Sequence, residues 1–207
     1  MHQLRTSSHQ VSVVHCFLRV FDTLGFGALL IGDERKVLHF NRKAKEHLGG
    51  GLALRAHRLA ATDPSADRLL QSVLEAHLSG QEEAREALGL PRREGRPLIL
   101  RIVAFPDGVQ AAFEGARLAI LVADPEFCPD LPPELLPQVF GLTRREATVA
   151  TQLMCGCSLQ DIAEMTGIGV GTVRAQVKAI LAKTRTKRQA ELVGLLTRLA
   201  ILAGRTT

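Results

Sequence analysis

The sequence predicts two units of different class: an α+β domain, an antiparallel sheet with helices, followed by an all-α domain of four helices. Three observations carry this. The chain has 207 residues, enough for two small domains at about 100–200 residues each. Its first part mixes short apolar runs with helical faces, whereas beyond residue 140 every apolar pattern is helical. Charge and aromatic residues split at the same place. Residues 142–207 carry ten Lys/Arg against four Asp/Glu, a net of +6, while residues 1–141 carry sixteen against seventeen. All eight Phe lie between Phe17 and Phe140, and there is no Trp or Tyr.

In the first unit, Val14, Phe17, Leu18, Phe21 and Leu24 recur at helical spacing. Phe26–Ile31 is a short apolar run, a buried strand by pattern. Residues 32–35 form a turn and Lys36–Phe40 a second strand, which makes a hairpin. Asn41 caps a helix through about Leu48, stopped by three consecutive glycines. Asp63 and Pro64 open another, with Leu69, Leu70, Val73, Leu74 and Leu78 on its apolar face. Extended segments follow at Ala87–Leu90, Pro97–Ala104, Val109–Phe113 and Arg117–Ala123. Helices and antiparallel strands in this order define an α+β layer arrangement.

Proline then concentrates at 125, 129, 132, 133 and 137, which reads as a linker with at most short helical turns. In the second unit, Thr143 and Glu146 form a capping box for a helix ending at Gly156. Ser158 caps the next, which Gly167 ends. Val170–Thr184 is the third, and residues 187–203 the fourth, with a stripe of Leu192, Leu195, Leu196, Leu199 and Leu202. The domain boundaries expected are a helix at 1–24 with a pairing role, a sensor domain at 25–125, a linker at 126–139 and the helical domain at 140–207.

Composition excludes several classes. Apolar residues at 46% exclude disorder. No apolar run approaches the roughly 20 residues of a membrane-spanning helix, and polar residues at 7–10 argue against a signal peptide. Four unevenly spaced cysteines do not make a disulfide framework, so the expectation is a cytoplasmic protein with reduced thiols and no membrane partner. Cys155 and Cys157 lack a second ligand pair for zinc, so no metal site is expected. His39 beside Asn41 has no nucleophile or metal set near it, and no enzyme is predicted.

The basic half carries the functional signal. From Ser158 to Val173 the spacing is that of a helix-turn-helix. Ala163 allows close helix approach, Gly167 supplies the turn, Ile168 plugs the core between the helices, and Val173 anchors the second helix. Its outward face carries Thr172, Arg174, Ala175, Gln176 and Lys178. Arg174 and Gln176 suit base edges in the major groove of double-stranded DNA, whereas Lys178, Lys183 and Thr172 suit phosphate. Residues 142–207 hold no aromatic, so the helices there have nothing to stack single-stranded bases on.

Leu142-Thr143-Arg144-Arg145-Glu146, Gly156-Cys157-Ser158, Asp161-Ile162-Ala163, Gly167-Ile168, Thr172-Val173, Lys183 and the run 188–193 resemble the LuxR (GerE-type) DNA-binding domain. The resemblance covers about residues 140–200. It implies a four-helix domain with its third helix in the major groove and a fourth helix that helps pair two subunits, through Leu195 and Leu199. Three positions depart from the family pattern: Gly169 stands where Ser is usual, Gln176 where His is common, and Arg185 where Gly is frequent.

For the first unit, a phosphoacceptor receiver is rejected because residues 72–85 lack the second acidic strand end. Gly27–Ile31, Val37–Ala44 and Leu48-Gly49, with three late strands ending at Asp124-Pro125, resemble a PAS domain. The whole chain is thus similar to PAS–LuxR bacterial regulators, which implies a homodimer. No cofactor is expected: the helix after Asn41 has no Cys for flavin chemistry, and His77 reads as a partly exposed helix histidine rather than a haem ligand. A small-molecule ligand in the sensor core is left open, as is contact with RNA polymerase. The N-terminal helix is a second expected pairing surface, because Val14, Phe17 and Phe21 need an apolar partner. The alternative reading is an adaptor whose helical domain binds a protein instead of DNA.

Overall fold

The computed structural model describes residues 4–81 and 83–203, with side chains from Val13 onward. The chain divides into two compact units, Met1–Phe127 and Cys128–Thr207. The first begins with helix α1 (Leu4–Thr23), strands β1 (Gly27–Ile31) and β2 (Val37–Phe40), and helix α2 (Arg42–Glu46). Strands β3 (Leu52–Arg55) and β4 (Arg58–Ala61), helix α3 (Pro64–Leu78), and strands β5 (Ala87–Leu90), β6 (Leu98–Ala104) and β7 (Leu118–Ala123) follow. Five strands form one antiparallel sheet in the order β2-β1-β7-β6-β5, and β3 and β4 form a separate hairpin. This is the α+β class the sequence implies, an antiparallel sheet with helices.

Period-two alternation sorts the strand side chains onto two faces. Leu29, Ile31, Leu98, Leu100, Ile102, Leu118, Ile120 and Val122 point to one face and are buried under α3 and the β3–β4 hairpin, with Leu52, Leu59, Leu70 and Leu74. Leu30 and Ala119 point to the other face. They meet Val14, Phe17 and Leu18 of α1, together with Ala116, Phe105 and Phe113. Strand β1 is therefore covered on both faces, which is why Gly27–Ile31 reads as an unbroken apolar run.

Helix α1 packs against the sheet of its own unit. Val14 is 3% exposed, and Phe17 sits 5.4 Å from the Phe113 ring and 4.8 Å from Phe21. The chain's own sheet supplies an apolar partner for Val14 and Phe17, while Phe17 and Phe21 stay half-buried. Two differences from the expected elements are local. Gln110–Phe113 is a 3-10 turn, not a strand, and its turn is what carries Phe113 to α1. The β3–β4 hairpin turns through Ala56 and His57, both with positive φ. Neither residue type advertises such a turn, since glycine and asparagine are the usual occupants.

Asn41 joins three elements. It is 5% exposed. Its Oδ1 accepts from the Ala44 N–H at 2.8 Å, capping α2, and from the Ala28 N–H of β1 at 2.9 Å. Its Nδ2 donates to the Phe26 carbonyl at 2.9 Å and to Leu18 of α1 at 3.4 Å. The close approach of α2 to β1 needs Gly27, where an added Cβ would lie 2.9 Å from the Val122 Cβ and 3.0 Å from the Ala44 Cα.

The second unit is all helix: α4 (Leu135–Phe140), α5 (Arg144–Met154), α6 (Leu159–Thr166), α7 (Val170–Thr184) and α8 (Gln189–Ala203). The proline-rich stretch contributes to it. Leu131 and Leu136 are buried in the helical core with Leu142, Val149, Ile162, Val173, Ile180, Leu192 and Leu196. Pro137 falls in the first turn of α4, where a missing N–H leaves no hydrogen bond unmade. Cys128 and Cys155 are disulfide-bonded, while Cys16 and Cys157 are free. This corrects the expectation of reduced thiols throughout. The two residues are 27 positions apart, a spacing with no local signature, and only the fold brings them together.

Candidate nucleic-acid interface

Side-chain capping boxes define the N-terminal ends of α5 and α6. In α5 the Glu146 N–H donates to Thr143 Oγ1 at 3.2 Å, and the Thr143 N–H donates to Glu146 Oε2 at 2.7 Å. In α6 the Asp161 N–H donates to Ser158 Oγ at 3.1 Å, and the Ser158 N–H donates to Asp161 Oδ2 at 2.8 Å. The Ser158 donors hold the Asp161 carboxyl below its ordinary pKa. Gly167 closes α6 at φ +67, the left-handed conformation glycine adopts without penalty. Two residues later α7 begins at Gly169, which offers no side-chain cap.

The inward face of α7 consists of Val173 and Ile180, both 0% exposed, and Val177 at 8%. Ala163 of α6 is buried, and Ile168 is half-buried against the same core. Ser158 and Gly167 thus mark the two ends of α6, and Ala163, Ile168 and Val173 pack in the core that α6 and α7 share. On the opposite face Gly171, Thr172, Arg174, Ala175 and Lys178 are exposed. Gly171 and Ala175 keep that face narrow, so the helix backbone can approach a groove closely.

Gln176 lies apart from the exposed set, and the exposed Lys183 is engaged by a carboxylate. Gln176 is half-buried, and its Oε1 is buried with no hydrogen-bond partner. The Lys183 ammonium donates to Glu146 Oε2 at 2.6 Å. Burial alone would raise the Glu146 carboxyl. Lys183 and the Thr143 donors outweigh it, and its pKa falls below the ordinary carboxylate value. Lys183 thus clamps α7 onto the start of α5, across 37 positions of sequence.

Other cations stand free of that clamp. Arg185 ends α7 in the left-handed region at φ +55, and Arg185, Lys187 and Arg188 are exposed before α8. Their place in a loop was hidden in the sequence by the helical reading that began at residue 187; the charge excess was the available signal. In α8, Leu192, Leu196 and Ala200 face the core. Leu195 and Leu199 are half-buried, and Leu202 is 77% exposed. These three, at helical spacing, form the less covered stripe of α8.

A capped helix joined by a tight turn to a second helix, which presents a basic and sterically open face, defines a helix-turn-helix DNA-binding domain. Residues 141–196 match the family described as bacterial regulatory proteins, luxR family. This part of the chain is a LuxR-type domain.

A search of curated proteins finds no match. Among solved structures, the chain is similar to a phage VqmA–DPO complex at 13% identity and a TM-score of 0.39, covering 97% of this chain and 93% of that one. It is similar to a VqmA–ligand–DNA complex of Vibrio cholerae at 17% identity and a TM-score of 0.33, covering 93% and 90%. It is also similar to a Vibrio cholerae VqmA dimer in the absence of target DNA, at 16% identity and a TM-score of 0.34, covering 90% and 88%. Among the described residues no helix is long and apolar enough to cross a membrane.

Proposed function

We propose that the chain is a cytoplasmic transcription regulator, not an enzyme, that binds duplex DNA as a homodimer through α7. The observation that carries this reading is the exposed Thr172, Arg174 and Lys178 face on a helix whose other side is anchored by Val173, Val177 and Ile180. Arg174 contacts base edges and Lys178 and Thr172 contact phosphate. Gln176 rotates to a base, which gives its Oε1 the partner it lacks in the free protein. Arg185, Lys187 and Arg188 add backbone contacts in place of Lys183. Two subunits pair through the Leu195–Leu199 stripe of α8 and set their recognition helices one DNA turn apart, about 34 Å. The PAS-like unit senses a signal or reinforces pairing.

The test is selection of DNA fragments by the purified full chain from a random pool, followed by footprinting. Enrichment of a site with two related halves about one turn apart supports the reading. Failure to retain any fragment at low salt favours the rival view, a helical domain that binds a protein.

A further inference from the structure

The Cys128–Cys155 pair ties the first residue of the helical unit to the end of α5. Cys128 comes directly after Phe127. Cys155 is the C-cap of α5, three residues before the cap of the first helix of the helix-turn-helix. Their Cα atoms are 5.5 Å apart, within the range a disulfide accommodates. Cys155 is exposed and Cys128 half-buried, so small oxidants and thiols reach the pair. The next anchor along the chain is Leu131, 5% exposed in the helical core.

We propose that Cys128 and Cys155 form a reversible oxidation site that sets the length of the tether entering the DNA-binding unit. When paired, the chain is fixed to the end of α5 at residue 128. When reduced, the fixed point moves to Leu131, and three residues join the tether, adding up to about 10 Å of reach.

The oxidant is a hydroperoxide. One thiolate attacks the O–O bond, giving a sulfenic acid and an alcohol or water. The second thiol displaces the sulfenic oxygen as water, forming the S–S bond. Two thiols thus lose two electrons and two protons to one hydroperoxide. A dithiol reverses the step by exchange and leaves as its own disulfide. A cytoplasmic protein seldom keeps a permanent disulfide, so a pair held at the start of this unit fits a sensing role. The consequence for DNA rests on the dimeric reading above. A shorter tether narrows the range of half-site separations that both recognition helices can reach together.

The experiment compares wild type, Cys128→Ser and Cys157→Ser as full chains, after hydrogen peroxide and after dithiothreitol. Peptide mapping should show the 128–155 link in peroxide-treated wild type and Cys157→Ser, and its loss in dithiothreitol. Amide hydrogen exchange over residues 128–134 should be at least about fivefold faster in reduced wild type than in oxidised wild type. Cys128→Ser should exchange at the fast rate under both treatments. Free thiols at 128 and 155 after peroxide, a link that disappears in Cys157→Ser, or equal exchange in the two states would overturn the proposal. On selected DNA with its half-sites moved apart, the oxidised protein should lose more affinity than the reduced one. Equal tolerance overturns the tether role. If neither state binds DNA, the proposed function fails, and the oxidation site is judged by mapping and exchange alone.

Discussion

Glu146 serves two purposes with one carboxylate, closing the α5 capping box and holding Lys183. Lys183→Met should therefore lower the stability of the helical unit by on the order of 1–2 kcal/mol, because it leaves a buried carboxylate without its cation. DNA affinity at saturating folded protein should stay within about threefold, a small change by the roughly 1.4 kcal/mol per tenfold measure. Chemical denaturation and fluorescence anisotropy on labelled DNA separate the two effects. The pH dependence follows from the depressed carboxyl. In the unfolded chain Glu146 binds a proton near its ordinary pKa, above the folded value, so the clamp's contribution is full above about pH 4.5 and is lost as pH falls through the folded pKa. Lys183→Met should flatten that acid loss in denaturation curves taken between pH 3 and 6. In the sensor unit, Asn41→Ala strands the Ala28 N–H and the Phe26 carbonyl near the core. Thermal unfolding should show a loss of about 2–3 kcal/mol.

At the scale of elements, the start of α7 is weaker than it could be. Gly169 caps without a side chain, and Gly171 lies in the first turn. An added Cβ at either position meets nothing within 4 Å. Gly169→Ser should stabilise by a few tenths of a kcal/mol and Gly171→Ala by about 0.5–1 kcal/mol, measured by denaturation. If Gly171 is there to let the groove come close, Gly171→Ala will weaken DNA binding despite the gain in stability. Most elements were legible because their signals are local: the caps at Asn41, Asp63, Thr143 and Ser158 and the alternation along β6 are all contained in short windows. What escaped was set by distant contacts or unusual residues. Ala56 and His57 turn a hairpin without turn chemistry. Residues 128–140 look like a linker until Leu131 and Leu136 are seen to have a core to enter. The site was legible in the same measure: the exposed positions 172, 174 and 178 follow from helical periodicity, whereas the engagement of Lys183 with a residue 37 positions away does not.

For the whole molecule, the proposed pairing surface is the Leu195–Leu199 stripe of α8. Leu195→Asp should shift sedimentation from dimer toward monomer while the helical circular dichroism is retained, since Leu195 is not part of the buried core. An unchanged dimer would move pairing to another surface. In the proposed function, the net +6 of residues 142–207 acts as a DNA-binding surface focused on α7 and the loop after it. The most direct measurement is the affinity of the full chain for its selected duplex across a salt series, with Arg174→Ala/Lys178→Ala beside wild type. The account predicts a log–log salt slope of about −5 for a dimer making roughly six phosphate contacts. It predicts a roughly 10- to 100-fold weaker double variant whose slope is shallower by about two. A double variant that binds as tightly as wild type with the same slope would contradict it.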